Sequence, residues 1–162
     1  MTAYDNNNIF AKILRGEIPS HKLYEDEHTL AFMDVMPQSR GHTLVIPKTG
    51  SRNLFDAEPQ VLADLIQKTQ RVAKAVMTAM DADGLRVAQF NEAPAGQTVF
   101  HLHFHIIPMY EGVPLRPHTG EMADQEGRPS YSWTGKAARN GDWNVCGISG
   151  SRKRAFHRLR TG

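Results

Sequence analysis

The sequence predicts an α+β domain: an antiparallel β-sheet of about five strands, with one long and one short helix. Candidate strands outnumber candidate helices, and most connecting segments are too short for the crossovers that parallel strands require. One long apolar stripe at helical spacing provides a helix that can pack on one face of the sheet. The chain has 162 residues, 40% of them hydrophobic, which is enough to bury a core of this kind.

The first predicted element is a short helix over residues 8–15. Apolar side chains recur there at helical spacing, and Gly16 follows as a C-cap ahead of Pro19. The apolar positions are Ile9, Phe10, Ile13 and Leu14.

Three strand candidates follow, separated by turn residues. They are residues 22–25, 29–35 and 42–47. The second is apolar over most of its length, as expected for a strand buried on both faces, and Asp34 is the exception.

The second half is predicted to contain the long helix and two more strands. The helix covers residues 58–80, with Asp56 as its N-cap and Pro59 in its first turn, where a missing N–H costs nothing. The strands are residues 85–91 and 99–108, joined by a loop rich in small residues.

Charge divides the chain into two unlike parts. Residues 1–125 carry 11 Lys and Arg against 15 Asp and Glu, a net charge of −4, whereas residues 126–162 carry 8 against 2, a net charge of +6. The second part is rich in Gly, Ser and Arg and has no sustained period. We therefore expect a folded domain over residues 5–125 and a poorly ordered basic tail over residues 126–162. The basic run 151–154 could contact nucleic-acid phosphates, but a solvated tail is the simpler interpretation, so nucleic acid is not an expected partner.

Several classes of protein are excluded or disfavoured. No apolar run approaches the roughly 20 residues that a membrane span needs. The start of the chain has neither the basic nor the apolar region of a secretory signal. A single cysteine, Cys146, rules out an internal disulfide and a multi-cysteine zinc site. These features favour a cytoplasmic protein without a membrane partner.

Three histidines alternate with apolar residues on the last predicted strand. Because successive side chains of a strand point to opposite faces, His101, His103 and His105 share one face. Three interpretations are open: a hydrogen-bonded polar face, a metal site, or a catalytic site in which one imidazole is a nucleophile or acid–base group. The preceding loop offers no metal ligand except Glu92.

That loop favours catalysis on a phosphate. It supplies amides, a hydroxyl and a glycine N–H, which are hydrogen-bond donors without bulk. These are Asn91, Gly96, Gln97 and Thr98.

Residues 101–107, His-Leu-His-Phe-His-Ile-Ile, resemble the signature of the histidine triad (HIT) superfamily. Further segments resemble the family in the same order along the chain. They are residues 8–13, 16–19, 30–34, 41–48 and 91–92. The chain is most similar to the Hint-like branch of nucleoside phosphoramidases and nucleotidyl hydrolases.

The resemblance implies an activity and a role for each histidine. His103 would attack the α-phosphorus of a purine nucleoside 5′-phosphoramidate, giving a nucleotidyl-histidine that water hydrolyses to the nucleoside monophosphate. His105 would contact the phosphate, and His101 and His42 would orient the nucleophile. Asp34 would accept hydrogen bonds from the ribose hydroxyls. The positions matching the phosphate side are Asn91, Gly96, Gln97 and Thr98, and those expected to line the base pocket are Ile9, Phe10, Ile13, Phe32, Met33 and Val35.

The resemblance also bears on partners and cofactors. Family members usually form a homodimer by extending the sheet across a two-fold axis. No cofactor is expected. Some members carry half of a structural zinc site as Cys-x-x-Cys around the first helix, but Asn8 and Ala11 stand there, so no such metal is expected. Two alternative functions remain: a dinucleoside polyphosphate hydrolase of the same superfamily, and a nucleotide-binding regulatory protein with little turnover.

Overall fold

The computed structural model of the chain describes residues 3–117. It contains one five-stranded antiparallel sheet, in the order β1-β2-β3-β5-β4, and two α-helices, which confirms the predicted fold class. The elements are α1 (Ile9–Leu14), β1 (Lys22–Glu25), β2 (Thr29–Met33), β3 (Thr43–Pro47), α2 (Pro59–Met80), β4 (Gly84–Ala88) and β5 (Phe104–Met109). The predicted tail, residues 126–162, lies outside the described residues, as does the last part of the predicted domain.

The two helices cover opposite faces of the sheet. On one face, α2 packs against the strands in a cluster that includes Val45, Leu102 and Ile106. On the other face, α1 contributes Phe10 and Ile13 to a second cluster. A sheet that is covered on both faces buries its central strands completely, and every residue of β3 is buried.

The ends of α1 follow from local sequence chemistry. The Asn8 side chain accepts hydrogen bonds from the N–H groups of Phe10 and Ala11, so it caps the helix. At the other end, Gly16 adopts a φ of +76°, and the N–H of Glu17 bonds to the Lys12 carbonyl, the pattern of a Schellman motif. The predicted glycine stop is confirmed.

The predicted N-cap of α2 is wrong. The helix begins at Pro59 with Glu58 at the cap position and without a side-chain cap. The Asp56 carboxylate accepts instead from the N–H groups of Arg52 and Asn53, because it closes the preceding turn. Within residues 3–117, no helix combines the length and the apolar character that crossing a bilayer requires.

The last strand is shorter than predicted, and this matters for the histidines. β5 begins at Phe104, so His101 and His103 precede it and only His105 lies within it. The Leu102 N–H donates to the Ser51 carbonyl, which lies in the loop after β3, rather than to a neighbouring strand. The alternation of faces nevertheless continues, since Leu102 is buried in the α2-side cluster.

Candidate active site

His103 is held at the centre of the histidine cluster by a hydrogen bond to the backbone. Its Nδ1 lies 2.6 Å from the His101 carbonyl oxygen, and a carbonyl can only accept, so Nδ1 carries the proton. In the neutral ring, Nε2 then holds the lone pair. The side chain is 3% exposed and packs edge-on against Phe10 of α1, with ring centroids 5.2 Å apart. The geometry therefore fixes the orientation of the ring and, in its neutral form, the tautomer.

Both ring nitrogens of His101 form hydrogen bonds, which fix the orientation of its ring. Its Nε2 donates to the Pro47 carbonyl at 2.9 Å, which leaves Nδ1 to accept from the Tyr4 hydroxyl at 2.6 Å. Burial lowers the pKa of His101 from 6.5 to about 4, with a smaller contribution from His103. His101 is therefore neutral near pH 7, and its own carbonyl is the acceptor that orients His103.

His42 and His105 form a second hydrogen-bonded pair. The Gln38 N–H donates to Nδ1 of His42, so the proton of a neutral His42 ring is on Nε2. That nitrogen lies 2.9 Å from Nδ1 of His105, which must accept, and the His105 proton is therefore on Nε2. The His105 ring is 4.8 Å from the His103 ring between centroids. The arrangement places a proton-bearing nitrogen of His105 in the same cluster as the lone pair of His103.

Asp34 lies at the end of β2, beside this pair. One carboxylate oxygen is 3.4 Å from His42 Nδ1, and the other accepts from the Met36 N–H. Sequence spacing gives no hint of this contact with His42, which depends on the pairing of β2 with β3.

Asp34, His42 and His105 also form a group whose potential metal-ligating atoms lie within 4.8 Å of one another. Both ring nitrogens of His42 already take part in the hydrogen bonds described above. A metal ion bound through His42 would have to replace one of these bonds. The donor set therefore fits the hydrogen-bonded cluster better than it fits an ion, and the absence of a metal cofactor stays a prediction.

The predicted phosphate-side loop is organised around Gln97. Its side chain is 2% exposed, and its Nε2 donates to the carbonyls of Arg52 and Val99. Its Oε1 accepts from the N–H of Glu92 at 2.8 Å. Because both amide atoms bind within the protein, Gln97 holds the loop together from inside. Gly96 and Thr98 are exposed on either side of it.

An ion pair ties this loop to the segment after β3. Two nitrogens of Arg52 donate to the two carboxylate oxygens of Glu92, at 2.9 and 2.7 Å, and the guanidinium stacks 3.9 Å from the Phe100 ring centroid. Arg52 lowers the pKa of Glu92 through the hydrogen bond. Glu92 adopts a φ of +68°, which is rare for a residue with a side chain, so the ion pair fixes a strained point of the loop. Ser51, next to Arg52, accepts from the N–H of Leu102, which lies between His101 and His103, so the same segment is bonded to the backbone that carries the histidines.

The residues predicted for the base pocket differ in burial. Phe10, Ile13 and Phe32 belong to the buried α1-side cluster. Ile9 and Val35 are exposed by 45% and 50%. Met33 is half-buried at the end of β2. Phe10 connects the α1-side cluster to the histidine cluster, because its ring also contacts the rings of His101 and His103.

Sequence reasoning missed four residues of the site: Tyr4, Gln38, Ser51 and Arg52. Two of them act through backbone groups, Gln38 N–H and Ser51 C=O, which leave no sequence signal. Tyr4 lies 97 residues from the histidine that it contacts. For Arg52, the opposite charge of Glu92 was visible in the sequence, but 40 residues separate the two.

A comparison with family models matches residues 15–112 to the HIT domain. The chain is 42% identical to Adenylylsulfatase HINT3 of Arabidopsis thaliana, over 65% of this chain and 54% of that protein. It is 43% identical to Adenosine 5′-monophosphoramidase HNT1 of Saccharomyces cerevisiae, over 62% of this chain and 61% of that protein. Among solved structures, a Hit-like protein from Bartonella henselae is 57% identical and superposes with a TM-score of 0.72, covering 78% of this chain and 92% of that one.

Proposed function

This chain belongs to the HIT domain family, and on that basis we propose that it is a nucleotide hydrolase that cleaves purine nucleoside 5′-phosphoramidates. The observation that carries the proposal is the tautomer of His103. The bond from Nδ1 to the His101 carbonyl directs the lone pair to Nε2, which is what attack on phosphorus requires. Two relatives named as nucleotide hydrolases support the reaction class.

The reaction proceeds in two displacements. His103 Nε2 forms a bond to the α-phosphorus, and the bond from phosphorus to the leaving nitrogen breaks, so that the amine departs with the electron pair. The proton that the amine needs comes from His105 Nε2, with His42 behind it in the hydrogen-bonded pair. The nucleotidyl-histidine then carries a positive charge on its ring, which the His101 carbonyl stabilises through Nδ1–H. Water then attacks the phosphorus, and the bond from phosphorus to His103 Nε2 breaks, so that its electron pair returns to the ring. The proton that water loses returns to His105, which releases the nucleoside monophosphate and restores both neutral rings.

Substrate binding is assigned to the residues around this cluster. The exposed loop around Gly96 and Thr98 receives the phosphate oxygens, supported by Asn91 and Gln97. Asp34 accepts from the ribose hydroxyls, and the base contacts Ile9 and Val35, the exposed members of the predicted pocket.

The assembly proposed for this site is a homodimer in the cytoplasm. β4 is at an edge of the sheet, and pairing of two β4 edges would extend the sheet across a two-fold axis. Sedimentation of the full chain distinguishes a dimer of about 36 kDa, twice the 18.1 kDa chain, from a monomer.

Phosphorus NMR of product formation tests the activity and its alternatives together. The wild-type chain should hydrolyse adenosine 5′-phosphoramidate faster than diadenosine tetraphosphate. The reverse order would identify a dinucleoside polyphosphate hydrolase, and AMP binding without turnover of either compound would identify a regulatory binding protein.

The nucleophile is tested with His103→Ala. We expect loss of at least about a thousandfold in kcat, with AMP binding retained, because the residue that forms the covalent bond is absent. His28→Ala is the matched control, since that histidine is exposed and far from the cluster in the sequence. Hydrolysis by His103→Ala at the wild-type rate would refute the assignment.

A further inference from the structure

Tyr4 lies ahead of α1, and its side chain reaches the histidine cluster across 97 residues of sequence. Its ring packs edge-on against that of His101, with the centroids 5.5 Å apart, and its hydroxyl lies 2.6 Å from His101 Nδ1. The residue precedes the segment 15–112 that matches the HIT domain, so membership of the family does not by itself give it a role.

The fold leaves room for the Tyr4 ring at Gly50. A Cβ on Gly50 would lie 2.6 Å from Cε1 of Tyr4, a separation that the two atoms cannot adopt unless one of them shifts. Among residues 3–117, a positive φ is found at other glycines and not at Gly50. The close approach of an aromatic ring, rather than the backbone conformation, therefore accounts for a glycine at this position.

The hydrogen bond from the Tyr4 hydroxyl satisfies a buried acceptor. His101 is 0% exposed, and its Nε2 donates to the Pro47 carbonyl, so Nδ1 of the neutral ring can only accept. Burial raises the pKa of Tyr4, so its hydroxyl keeps its proton near neutral pH and donates it to Nδ1. A buried acceptor without a partner is unfavourable, so loss of the hydroxyl would shift His101.

The position of His101 affects the nucleophile through its backbone. The His101 carbonyl accepts from His103 Nδ1–H at 2.6 Å, and this bond leaves the lone pair of the neutral ring on Nε2. The same bond stabilises the positive charge of the nucleotidyl-histidine. Tyr4 and His103 are thus connected through a single residue, which holds one of them by its side chain and the other by its carbonyl.

We propose that Tyr4 is a positioning residue for the nucleophile: its hydroxyl fixes the ring of His101, and the carbonyl of His101 fixes the ring of His103. This inference rests on the proposed function and adds a residue that affects the rate of the chemical step rather than the binding of substrate. The two displacements are unchanged, and Tyr4 exchanges no proton with the substrate.

Single-turnover hydrolysis of adenosine 5′-phosphoramidate, with the enzyme in excess, measures the effect on the chemical step. Tyr4→Phe removes the hydroxyl and keeps the ring that packs on Gly50. The rate constant at saturation should fall about fivefold and the half-saturation concentration should change less than about twofold, as expected when one hydrogen bond behind the reacting residue is lost.

Tyr24→Phe is the matched control for this loss of a hydroxyl. The Tyr24 hydroxyl donates to Asp26, and its ring packs against the α2-side cluster, on the opposite face of the sheet from α1. Its removal should leave the rate constant unchanged.

NMR of the substrate-free chain, with labelled histidine, measures the connection between Tyr4 and His103 directly. The signal to follow is the Nδ1–H proton of His103, which is identified by its loss in His103→Ala. Tyr4→Phe should move this signal upfield, because the proton is less deshielded in a longer hydrogen bond, and Tyr24→Phe should not move it. Gly50→Ala keeps the Tyr4 hydroxyl but displaces its ring, so it should move the signal in the same direction as Tyr4→Phe.

The outcomes separate the two proposals. An unchanged rate constant in Tyr4→Phe, or an unmoved His103 signal, would overturn the positioning role and leave the proposed function intact. A raised half-saturation concentration with an unchanged rate constant would also overturn it, since Tyr4 would then act on binding. Failure of the wild type to hydrolyse the phosphoramidate would overturn the proposed function, and this inference with it.

Discussion

Protonation of His101 should make the domain less stable in acid. The perturbation is a change of pH, applied to the wild type and to His101→Gln. Glutamine retains an N–H that can donate to the Pro47 carbonyl but does not titrate. Because the folded pKa of His101 is about 4, below its usual 6.5, the unfolded chain binds this proton more readily than the folded chain. The contribution of neutral His101 to the free energy of unfolding is therefore fully present above about pH 6.5, and it is lost as the pH falls towards 4.

The size of the effect follows from the two pKa values. A difference of about 2.5 between them corresponds to about 3 kcal/mol when the whole range is crossed. Between pH 7 and pH 4.5, the free energy of unfolding should lose about 2 kcal/mol through His101 alone. The residue is 0% exposed, so solvent screening does not reduce this figure.

Urea unfolding at a series of pH values measures the effect. The quantity to plot is the difference in unfolding free energy between the wild type and His101→Gln, because the titrating groups that do not interact with His101 cancel in it. This difference should shrink by about 2 kcal/mol between pH 7 and pH 4.5. A difference that does not change with pH would refute the reasoning, as would an imidazole NMR titration that places the His101 pKa near 6.5.

Four other substitutions test residues that support the site or bind the substrate. Gly41→Ala should lower the free energy of unfolding in urea by about 2 kcal/mol, because φ is +87° and the added Cβ would lie 2.6 Å from Cγ of Met80. An unchanged free energy of unfolding would contradict the expected backbone strain. Arg52→Met and Glu92→Gln should each lower kcat about tenfold in steady-state assays, with the double variant no worse than either. Additive losses would show that the two residues act independently. Asp34→Ala should lower about fivefold the preference for ribose over 2′-deoxyribose substrates, measured as a ratio of kcat/KM values. An unaltered ratio would reject the ribose contact.

The elements of the fold were predictable because each depends on neighbours in the sequence. Apolar spacing was sufficient to locate α1 and α2, and turn residues separated the five strands. The errors lie at the ends. Asp56 has the right chemistry for an N-cap, but the turn that it closes competes for its carboxylate. β5 starts late because the Leu102 N–H finds the Ser51 carbonyl, a partner from a loop.

The common face of the three histidines was also predictable, since alternation along an extended chain does not depend on partners. The roles of the residues around the histidines were harder to predict. Gln97 was predicted as one of several phosphate-side donors, yet its buried amide binds the loop itself. Arg52, which fixes that loop through Glu92, carries no local signal of its role.

Residue types and their spacing along the chain were thus sufficient for the α+β class, the cluster of imidazoles and the loop of small donors. The state of each imidazole required the folded chain. The bond from His103 Nδ1 to a carbonyl leaves the lone pair of the neutral ring on Nε2, and the Gln38 N–H at His42 Nδ1 leaves His42 Nε2 to donate to His105. The bonds at His103 Nδ1 and at His42 Nδ1 join residues only two and four apart, but they require a backbone conformation that residue types alone do not specify. The 2.9 Å contact of His42 with His105 joins residues 63 apart, and it exists only once β3 has paired with β5.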